Sequence, residues 1–454
     1  MRTSSEEPSA EVVGAKAPAV ARVGARRIVF YVWVLLCAGV LVGLAWTREW
    51  PRLRARFINS LLIEQLGGPG YVVFDFCQVG YWQWQQARLS DVDPAPYRAY
   101  LRDLAKDRLA LPVVAPPRKH VVLLQMESVD GLVIGSRKDG KPLMPFLESL
   151  AKDSIYFSNV IDNTAGGRTT DGETLVLTSL VPLRSRPVYV SQPLDKVPSL
   201  PRVLKQAGYH CWSMHGHVGH FWHRRPAHSA LGYDEFLFRE DLDNTEHVGW
   251  GISDKAVLHQ AAQKLAGESG PAMAHIILLT NHHPYQHVRE KEGGEFVSVE
   301  DDYVRSVRYV DEAIAGFFAE LEQLGVLDQC LIAIYSDHDS GITWMLEPYL
   351  EQVPPRPVND TVPLILVGFP GEQRRIEAVA GLQDVPVMFL ETLGLPVPLT
   401  FTGNGLGRQG RTVSVYYGPL ETTPEGGIGQ YELPVSSRSL TLMALRQPEV
   451  LLAP

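Results

Sequence analysis

Asn163-Thr164-Ala165-Gly166-Gly167-Arg168-Thr169-Thr170-Asp171-Gly172-Glu173 is the stretch on which the interpretation of this 454-residue chain depends. It follows a β-type run, Ser154 to Val160, and precedes an apolar run of helical length, Thr174 to Leu180. A strand, a Gly-Gly turn and a helix start place Thr169 at a helix N-terminus. There, free backbone N–H groups and the positive end of the helix dipole favour an anion. A hydroxyl at this position is well placed to attack a phosphate or sulfate ester.

The same stretch also has a purely structural interpretation. Thr170-x-x-Glu173 has the pattern of a capping box, in which a threonine only ties off the start of the helix. Thr169 lies one residue outside that box and is left without a structural role. A threonine is a weak nucleophile unless a base or a metal lowers the pKa of its hydroxyl. A functional Thr169 therefore needs a base or a metal site from other parts of the chain, and a metal site is the feature to look for.

Composition sets the broad class. The chain is 45% hydrophobic and 20% charged, which is typical of a globular protein and leaves room for one large α/β domain or two ordinary ones. The four cysteines, at positions 37, 77, 211 and 330, show no CxxC spacing, so we expect neither a disulfide framework nor a thiolate zinc site. Residues 1–56 have a net charge of +5 and the rest −14, which argues against nucleic-acid binding.

The N-terminal region predicts a membrane anchor. Residues 1–27 are a disordered tail by composition. Ile28 to Trp46 is a run of 19 residues without a charge, which matches the ~20 residues needed for one transmembrane helix. Residues 47–117 are predicted to be a juxtamembrane helical linker, and 118–454 the catalytic domain. Flanking positive charges balance, so charge alone leaves the orientation open.

The globular part alternates strands and helices. Strands are predicted at 120–126, 154–160, 208–214, 274–280, 330–336, 363–368 and 412–417, and helices at 144–152, 173–180, 198–207, 253–267, 301–324 and 384–394. This alternation predicts an α/β fold with a mostly parallel central sheet and helices on both faces. In such sheets, ligands bind beyond the carboxyl ends of the strands.

Polar clusters follow these predicted strands directly. Glu127 comes after HVVLLQM, and Asp337-His338 comes after CLIAIYS. With the Thr169 hydroxyl, these side chains offer hard oxygen donors and one imidazole, a set that suits Mn²⁺, Mg²⁺ or Zn²⁺. A metal here would lower the pKa of the threonine and polarise a phosphoryl oxygen. Singly, each residue could equally be a cap or part of a turn.

Two further strand-end loops are rich in histidine, His215 to His228 and His282-His283. Arg224, beside Trp222, could hold a phosphate by a bidentate contact or form a surface salt bridge. His282 could bond a substrate hydroxyl, act as an acid or base, or be a satisfied loop histidine.

With these residues in view, the chain resembles the lipoteichoic acid synthase family over roughly residues 118–420. That family consists of membrane-anchored phosphoglycerol transferases with an alkaline-phosphatase/sulfatase-like domain. The resemblance rests on five motifs in the same order: Met126-Glu127-Ser128, Gly167 to Glu173, His215-Gly216 with Phe221-Trp222-x-Arg224, Leu279-Thr280-Asn281-His282-x-Pro284-Tyr285, and Tyr335-Ser336-Asp337-His338.

The resemblance implies a site and a reaction. One divalent metal, usually Mn²⁺, is expected on Glu127, Thr169, Asp337 and His338, with Thr169 taking the phosphate covalently. The head-group pocket is expected to contain His215, Trp222, Arg224 and His282. The implied donor is phosphatidylglycerol, and the acceptor is a hydroxyl of a glycan or a glycerol-bearing lipid. The catalytic domain would lie on the periplasmic side of the cytoplasmic membrane.

Other functions stay open from the sequence. Phosphoethanolamine transfer and phosphodiester hydrolysis would use the same threonine and metal, and a transferase could polymerise or make a single transfer. A formylglycine-dependent sulfatase is disfavoured because the Cys/Ser-x-Pro-x-Arg signature is absent. A catalytically silent membrane scaffold is the alternative from another class. The complete set of candidate ligands argues against it.

Overall fold

The computed structural model describes residues 31–39, 59–89, 92–106, 120–164, 167–183, 186–243, 246–355, 360–372, 374–407, 412–413, 420–422, 428–430 and 436–452. The chain divides into two units, Met1–Arg88 and Leu89–Pro454. The helix Ala95–Lys106, which falls in the predicted linker 47–117, belongs to the second unit. Its Leu101 and Leu104 are buried in the larger core of that unit.

The first unit is helical where it is described. Residues 31–39 form a helix. The helix Asn59–Leu89 is interrupted at Gly67, which has a φ of 69° and precedes Pro69 by two residues. Among the residues that the structure describes, no helix is both long enough and apolar enough to cross a membrane. The predicted tail 1–27 and most of the predicted span 28–46 lie outside the described residues, so the anchor stays a prediction.

The second unit is built on a nine-stranded sheet with the strand His120–Met126 near its middle. The order across the sheet is Arg374–Ile376, Ile155–Ile161, Thr361–Val367, Cys330–Ser336, His120–Met126, Ala272–Ile277, His210–His215 and Glu235–Leu237, with Ala380–Gly381 also paired to Ile155–Ile161. Only Thr361–Val367 runs antiparallel to its neighbours in this sheet. The mostly parallel sheet predicted from the sequence is therefore present.

Both faces of the sheet are covered. All seven residues of His120–Met126 are buried, which is why this strand is an almost unbroken apolar run. Because successive strand residues point to opposite faces, Val121 and Leu123 lie in one core and Val122 and Leu124 in another. The helices of the second unit are Ala95–Lys106, Pro145–Lys152, Thr169–Thr178, Val188–Ser191, Leu200–Gln206, Arg224–Leu231, Asp254–Gly267, His287–Glu292, Val299–Gln323, Thr343–Tyr349, Val385–Thr392, Ser437–Arg446 and Pro448–Leu452.

Two strand predictions need correction. The strand predicted at 274–280 is Ala272–Ile277, because the backbone N–H groups of Leu279 and Thr280 leave the sheet and bind the carboxylate of Asp254. The strand predicted at 412–417 does not extend the central sheet. Thr412–Val413 pairs instead in a small antiparallel sheet with Leu420–Thr422 and Ile428–Gln430, and residues 414–419 lie outside the described residues.

The capping-box interpretation of the helix start is wrong. The helix begins at Thr169, and Arg168 at the cap position makes no side-chain cap. Thr170 is the second helical residue, and its buried hydroxyl has no hydrogen-bond partner within the described part of the chain. The carboxylate of Glu173 binds Arg224 and His228 rather than the backbone of the first turn. Thr169 therefore occupies the helix N-terminus, as predicted.

Candidate active site and metal centre

The pairing of two parallel strands creates the site. Met126, the last residue of one strand, pairs in register with Ser336, the last residue of its neighbour. The N–H of Asp337 donates to the carbonyl oxygen of Met126 at 3.1 Å, which continues the pairing by one residue. Glu127 and Asp337-His338 consequently leave the sheet at the same edge, although they are more than 200 positions apart in the chain.

Four predicted side chains meet at this edge. Carboxylate oxygens of Glu127 and Asp337 and a ring nitrogen of His338 all lie within 4.8 Å of one another. Nε2 of His338 is 3.5 Å from Oε1 of Glu127 and 3.6 Å from Oδ2 of Asp337. The Thr169 hydroxyl donates to Oε2 of Glu127 at 3.3 Å. The nucleophile and the predicted ligands thus form one buried cluster.

Neighbouring groups fix the two carboxylates. The N–H of Ser128 donates to Oδ1 of Asp337 at 2.9 Å, and its hydroxyl donates to Oε1 of Glu127 at 2.8 Å. The side-chain amide of Asn281 donates to the backbone oxygens of Glu127 and Ser128 at 3.0 and 3.1 Å. Asp254, which binds the turn before Asn281, has its pKa raised to about 6 by burial. The sequence alone indicates no role for Ser128, Asn281 or Asp254, and Asp254 lies in a helix with no local signal of this contact.

Gly172 lets the helix of the nucleophile approach the Asp337 loop. A Cβ atom added at this glycine would lie 2.8 Å from the backbone oxygen of Asp337 and 2.9 Å from its Cα. Real Cβ atoms essentially never come so close to backbone atoms. Only glycine therefore allows the first turn of the helix, with Thr169, to lie against the loop that follows the strand.

The cluster contains two carboxyl groups and only one imidazole. Burial by itself would raise the pKa of Glu127, but the hydrogen bond and the charge of His338 lower it to about 2. Burial and the charge of Glu127 hold the pKa of Asp337 well above its usual value. Burial would lower the pKa of His338, but Asp337 and Glu127 raise it well above the usual range. Two carboxylates competing for one imidazole form a site that a cation would stabilise.

The donor atoms fit a divalent metal. Oδ2 of Asp337 is buried and has no hydrogen-bond partner among the residues that the structure describes, although carboxylate oxygens in protein interiors are normally bonded. The carbonyl oxygen of Asp339 accepts a hydrogen bond from Nδ1 of His338 at 2.7 Å, which leaves Nε2 facing the carboxylates. Metal-binding histidines commonly bind a carbonyl in this way. Two carboxylates, a hydroxyl and an imidazole suit Mn²⁺, Mg²⁺ or Zn²⁺.

The four residues predicted for the head-group pocket differ in their surroundings. His215 is buried, and its Nδ1 bonds the backbone oxygen of Ile277 at 2.9 Å. His282 is half-buried, and the centre of its ring lies 4.1 Å from that of Trp250. Trp222 has a left-handed backbone conformation, with a φ of 56°. The sequence gave no reason to choose Trp250, since no motif includes it.

Arg224 is neither a surface residue nor a free clamp. Its side chain is 1% exposed, and its Nε–H and Nη2–H groups donate to Oε1 of Glu173 at 2.9 and 2.6 Å. Only Nη1 is left without a partner in the part of the chain that the structure describes. The other oxygen of Glu173 accepts from Nε2 of His228 at 3.0 Å. Arg224 thus belongs to a buried ion pair with the helix of the nucleophile. The sequence did not predict this pairing.

A family model and several curated proteins match this chain. The family model described as Sulfatase matches residues 119–395. Lipoteichoic acid synthase 1 of Bacillus subtilis is 29% identical over 303 residues, which cover 64% of this chain and 47% of the relative. Lipoteichoic acid synthase of Staphylococcus saprophyticus is 28% identical over 369 residues, covering 76% of this chain and 56% of the relative. The chain thus spans about half the length of these curated relatives.

Solved structures support the fold. The lipoteichoic acid synthase LtaP from Listeria monocytogenes superimposes with a TM-score of 0.61 at 19% identity, covering 74% of this chain and 91% of that one. A protein of the alkaline phosphatase superfamily from Vibrio parahaemolyticus also gives 0.61 at 19% identity, covering 78% and 95%. The resemblance to lipoteichoic acid synthases predicted from the sequence is confirmed, and the chain belongs to the sulfatase family.

Proposed function

We propose that this protein is a metal-dependent phosphoglycerol transferase. It moves glycerophosphate from phosphatidylglycerol to a hydroxyl of a glycan or lipid acceptor through a covalent phosphothreonine at Thr169. The observation that carries the proposal is the contact of the Thr169 hydroxyl, at a helix N-terminus, with Glu127 in the cluster of Glu127, Asp337 and His338. The curated relatives are lipoteichoic acid synthases, the family whose resemblance to this chain implies glycerophosphate as the group transferred.

The chain's own residues have defined tasks in this reaction. Glu127 accepts the hydrogen bond of Thr169 and so orients its oxygen. The N-terminus of the helix Thr169–Thr178 favours the negative charge of the phosphate. The Thr169 oxygen bonds to phosphorus as the bond to the lipid oxygen breaks, and diacylglycerol leaves with the threonine proton. An acceptor hydroxyl then displaces the threonine oxygen and restores its hydroxyl.

One divalent cation, for which we propose Mn²⁺, would be held by Glu127, Asp337, His338 and Thr169, lowering the pKa of the hydroxyl and polarising a phosphoryl oxygen. His215, Trp222, Arg224 and His282 are proposed to contact the head group. Arg224 can offer only Nη1, because Glu173 occupies its other nitrogens. It therefore acts as a fixed positive charge rather than a two-pronged clamp.

A membrane location follows from a lipid donor. We propose that residues 28–46 are a single-pass anchor in the cytoplasmic membrane and that the catalytic domain, residues 118–454, faces the periplasm. The apolar run at Ile28 to Trp46 supports the anchor.

The test is the Thr169→Ala variant of the full chain, assayed on phosphatidylglycerol vesicles with Mn²⁺. We expect diacylglycerol release to fall by roughly 10³-fold or more, as it does when a nucleophile is removed. Mass spectrometry of the wild type should find a glycerophosphate adduct on Thr169. Thr170→Ala is the matched control, because it removes the adjacent buried hydroxyl and should retain activity. A fully active Thr169→Ala variant, or an adduct on another residue, would refute the proposal.

The same assay separates the remaining alternatives. Phosphatidylethanolamine as the preferred donor would indicate phosphoethanolamine transfer, and release of free glycerophosphate with every acceptor would indicate a phosphodiesterase. A purified protein that binds no divalent ion and stays inactive with added Mn²⁺ would indicate the silent scaffold.

A further inference from the structure

A cavity of about 510 Å³ borders the metal centre on one side. Ser128 and His338 line both the cavity and the centre, and Gly167 adds the loop that leads to the nucleophile. The cavity therefore shares a wall with the reacting atoms. The residues proposed for the head group, His215, Trp222, Arg224 and His282, are not among its lining residues.

The lining of this cavity has more acidic than basic side chains. It contains the carboxylates of Asp162, Asp339, Glu347 and Asp360. Among the described residues that line it, none is lysine or arginine. A phosphate would find no lysine or arginine here, whereas hydroxyl groups would find acceptors, since carboxylate oxygens accept hydrogen bonds. Two of the carboxylates are held in place: Asp162 accepts the N–H of Asp339 at 3.0 Å, and Asp339 accepts the N–H of Gly341 at 3.0 Å.

An aromatic side chain completes the lining. Trp344 also lines the cavity, and it is 75% exposed, the largest exposed fraction recorded for a large hydrophobic side chain in the described part of the chain. A ring left in water at the mouth of a cavity offers a flat apolar surface beside hydrogen-bond acceptors. The C–H face of a sugar ring or polyol fits such a surface, and its hydroxyls fit the carboxylates.

We propose that this cavity is the acceptor subsite and that it takes a neutral, hydroxyl-rich molecule such as a sugar. This proposal rests on the proposed function and adds that the active site has separate donor and acceptor sides. The donor phosphate binds on the side of Arg224, His215 and His282, and the acceptor binds on the side of Trp344 and Asp339. Phosphothreonine at Thr169 lies between the two.

The division accounts for the second half of the reaction. An acceptor hydroxyl in the cavity forms a bond to phosphorus, and the bond between phosphorus and the Thr169 oxygen breaks. The electron pair returns to the threonine oxygen, which takes up the proton lost by the hydroxyl. No further reactant is needed.

Binding can be measured without turnover, so that it stays separate from the proposed function. Maltose serves as the neutral probe, with the full chain in detergent and Mn²⁺ present, and saturation-transfer difference NMR as the readout. We expect wild-type protein to saturate the maltose protons and Trp344→Ala to reduce this signal at least five-fold. Added glycerol 3-phosphate, an anionic probe of the donor side, should not displace the sugar. Phe296→Ala is the matched control, because Phe296 is 61% exposed but does not line the cavity.

Kinetics supply the second readout. With maltose as acceptor, Trp344→Ala and Asp360→Asn should each raise the acceptor KM at least ten-fold, with a much smaller effect on diacylglycerol release in the absence of acceptor. If the wild type releases no diacylglycerol, the proposed function fails, and the binding experiment alone decides the subsite.

Three results would overturn the subsite. The first is maltose binding that Trp344→Ala leaves unchanged, and the second is displacement of maltose by glycerol 3-phosphate. The third is a Trp344→Ala variant that loses binding to phosphatidylglycerol vesicles but keeps maltose binding, which would make Trp344 a membrane contact instead.

Discussion

Two buried clusters of ionisable side chains differ in how their charges are balanced. In the cluster of Glu173, Arg224 and His228, one carboxylate meets one guanidinium, and both carboxylate oxygens are bonded. In the cluster of Glu127, Asp337 and His338, two carboxylates face one imidazole, and Oδ2 of Asp337 accepts no hydrogen bond from the described residues. Burial is similar in the two clusters. The difference shows that an uncompensated charge, rather than burial itself, marks the candidate cation site.

The pKa shifts agree with this distinction. Burial opposes ionisation of Glu173, but the charge of Arg224 and the hydrogen bond of His228 hold its pKa well below the usual value. The pKa of Asp337 instead lies well above its usual value, because burial and Glu127 act in the same direction. Burial lowers the pKa of His228, whereas the two carboxylates raise that of His338 despite burial. The cluster of Glu173, Arg224 and His228 is balanced within the protein, and that of Glu127, Asp337 and His338 is a candidate cation site.

The largest expected effect comes from removing one charge of the cluster of Glu127, Asp337 and His338, which we call the incomplete cluster. Asp337→Asn keeps the shape of the side chain but removes a ligand charge, so we expect activity to fall by roughly 10³-fold or more. Mn²⁺ should raise the melting temperature of the wild type and not that of the variant. Without metal, the variant should be at least as stable as the wild type, because the repulsion from Glu127 is relieved. A thermal-shift titration measures both, with the exposed Asp103→Asn as control.

A similarly conservative change in the cluster of Glu173, Arg224 and His228, which we call the balanced cluster, should lower the stability of the protein. Glu173→Gln leaves the buried Arg224 without a counter-charge, and we expect the free energy of unfolding to fall by about 3–5 kcal/mol. Glu148→Gln is the matched control. Its partner Arg137 is 21% exposed, so the loss should be at most about 1 kcal/mol. Urea denaturation gives both values. Equal losses for the two variants would contradict the comparison.

Acid should reduce the difference in the free energy of unfolding between the wild type and Glu173→Gln. The pKa of Glu173 is lower in the folded protein than its ordinary value of 4.5, so the unfolded chain takes up the proton first as the pH falls. The stability that Glu173 contributes is therefore complete above its ordinary pKa and is lost progressively below it. We expect the stability gap between the two proteins to narrow between about pH 6 and pH 3. A gap that widens on acidification would have the wrong sign.

The smallest effect is expected beside the metal centre. Asn281→Ala removes the two hydrogen bonds that fix the backbone after Glu127, and it should weaken Mn²⁺ binding by about tenfold, as changes to groups behind metal ligands do. Asn159→Ala removes an amide that donates to the backbone oxygen of Glu377 instead. Both variants should lose some stability, but only Asn281→Ala should change the Mn²⁺ concentration needed for half-maximal activity.

The incomplete cluster could be predicted from the sequence, and the balanced one could not. HVVLLQM and CLIAIYS predict two buried strands with the bounds seen in the structure, and parallel neighbours bring Glu127 and Asp337 to one edge. The pairing of Glu173 with Arg224 depends on how two helices pack, and no local pattern encodes it. The local pattern around Glu173 indicates a capping box instead. The contact of Asp254 with the turn before Asn281 likewise depends on packing and has no local pattern. The cavity beside Trp344 is formed by several separate loops and has no motif.

Gly172 allows the helix turn that carries the Thr169 hydroxyl to pack against the loop that carries Asp337, a ligand of the proposed metal. With a hydrogen atom in place of a side chain, the first turn of the helix and the loop at Asp337 interlock and should move as one rigid block. Thermal motion that displaces the helix turn should then displace the loop as well, so the distance between the Thr169 hydroxyl oxygen and the Asp337 carboxylate should change little. Anyone transplanting this centre to a new scaffold would have to reproduce that missing methyl group along with the four polar side chains.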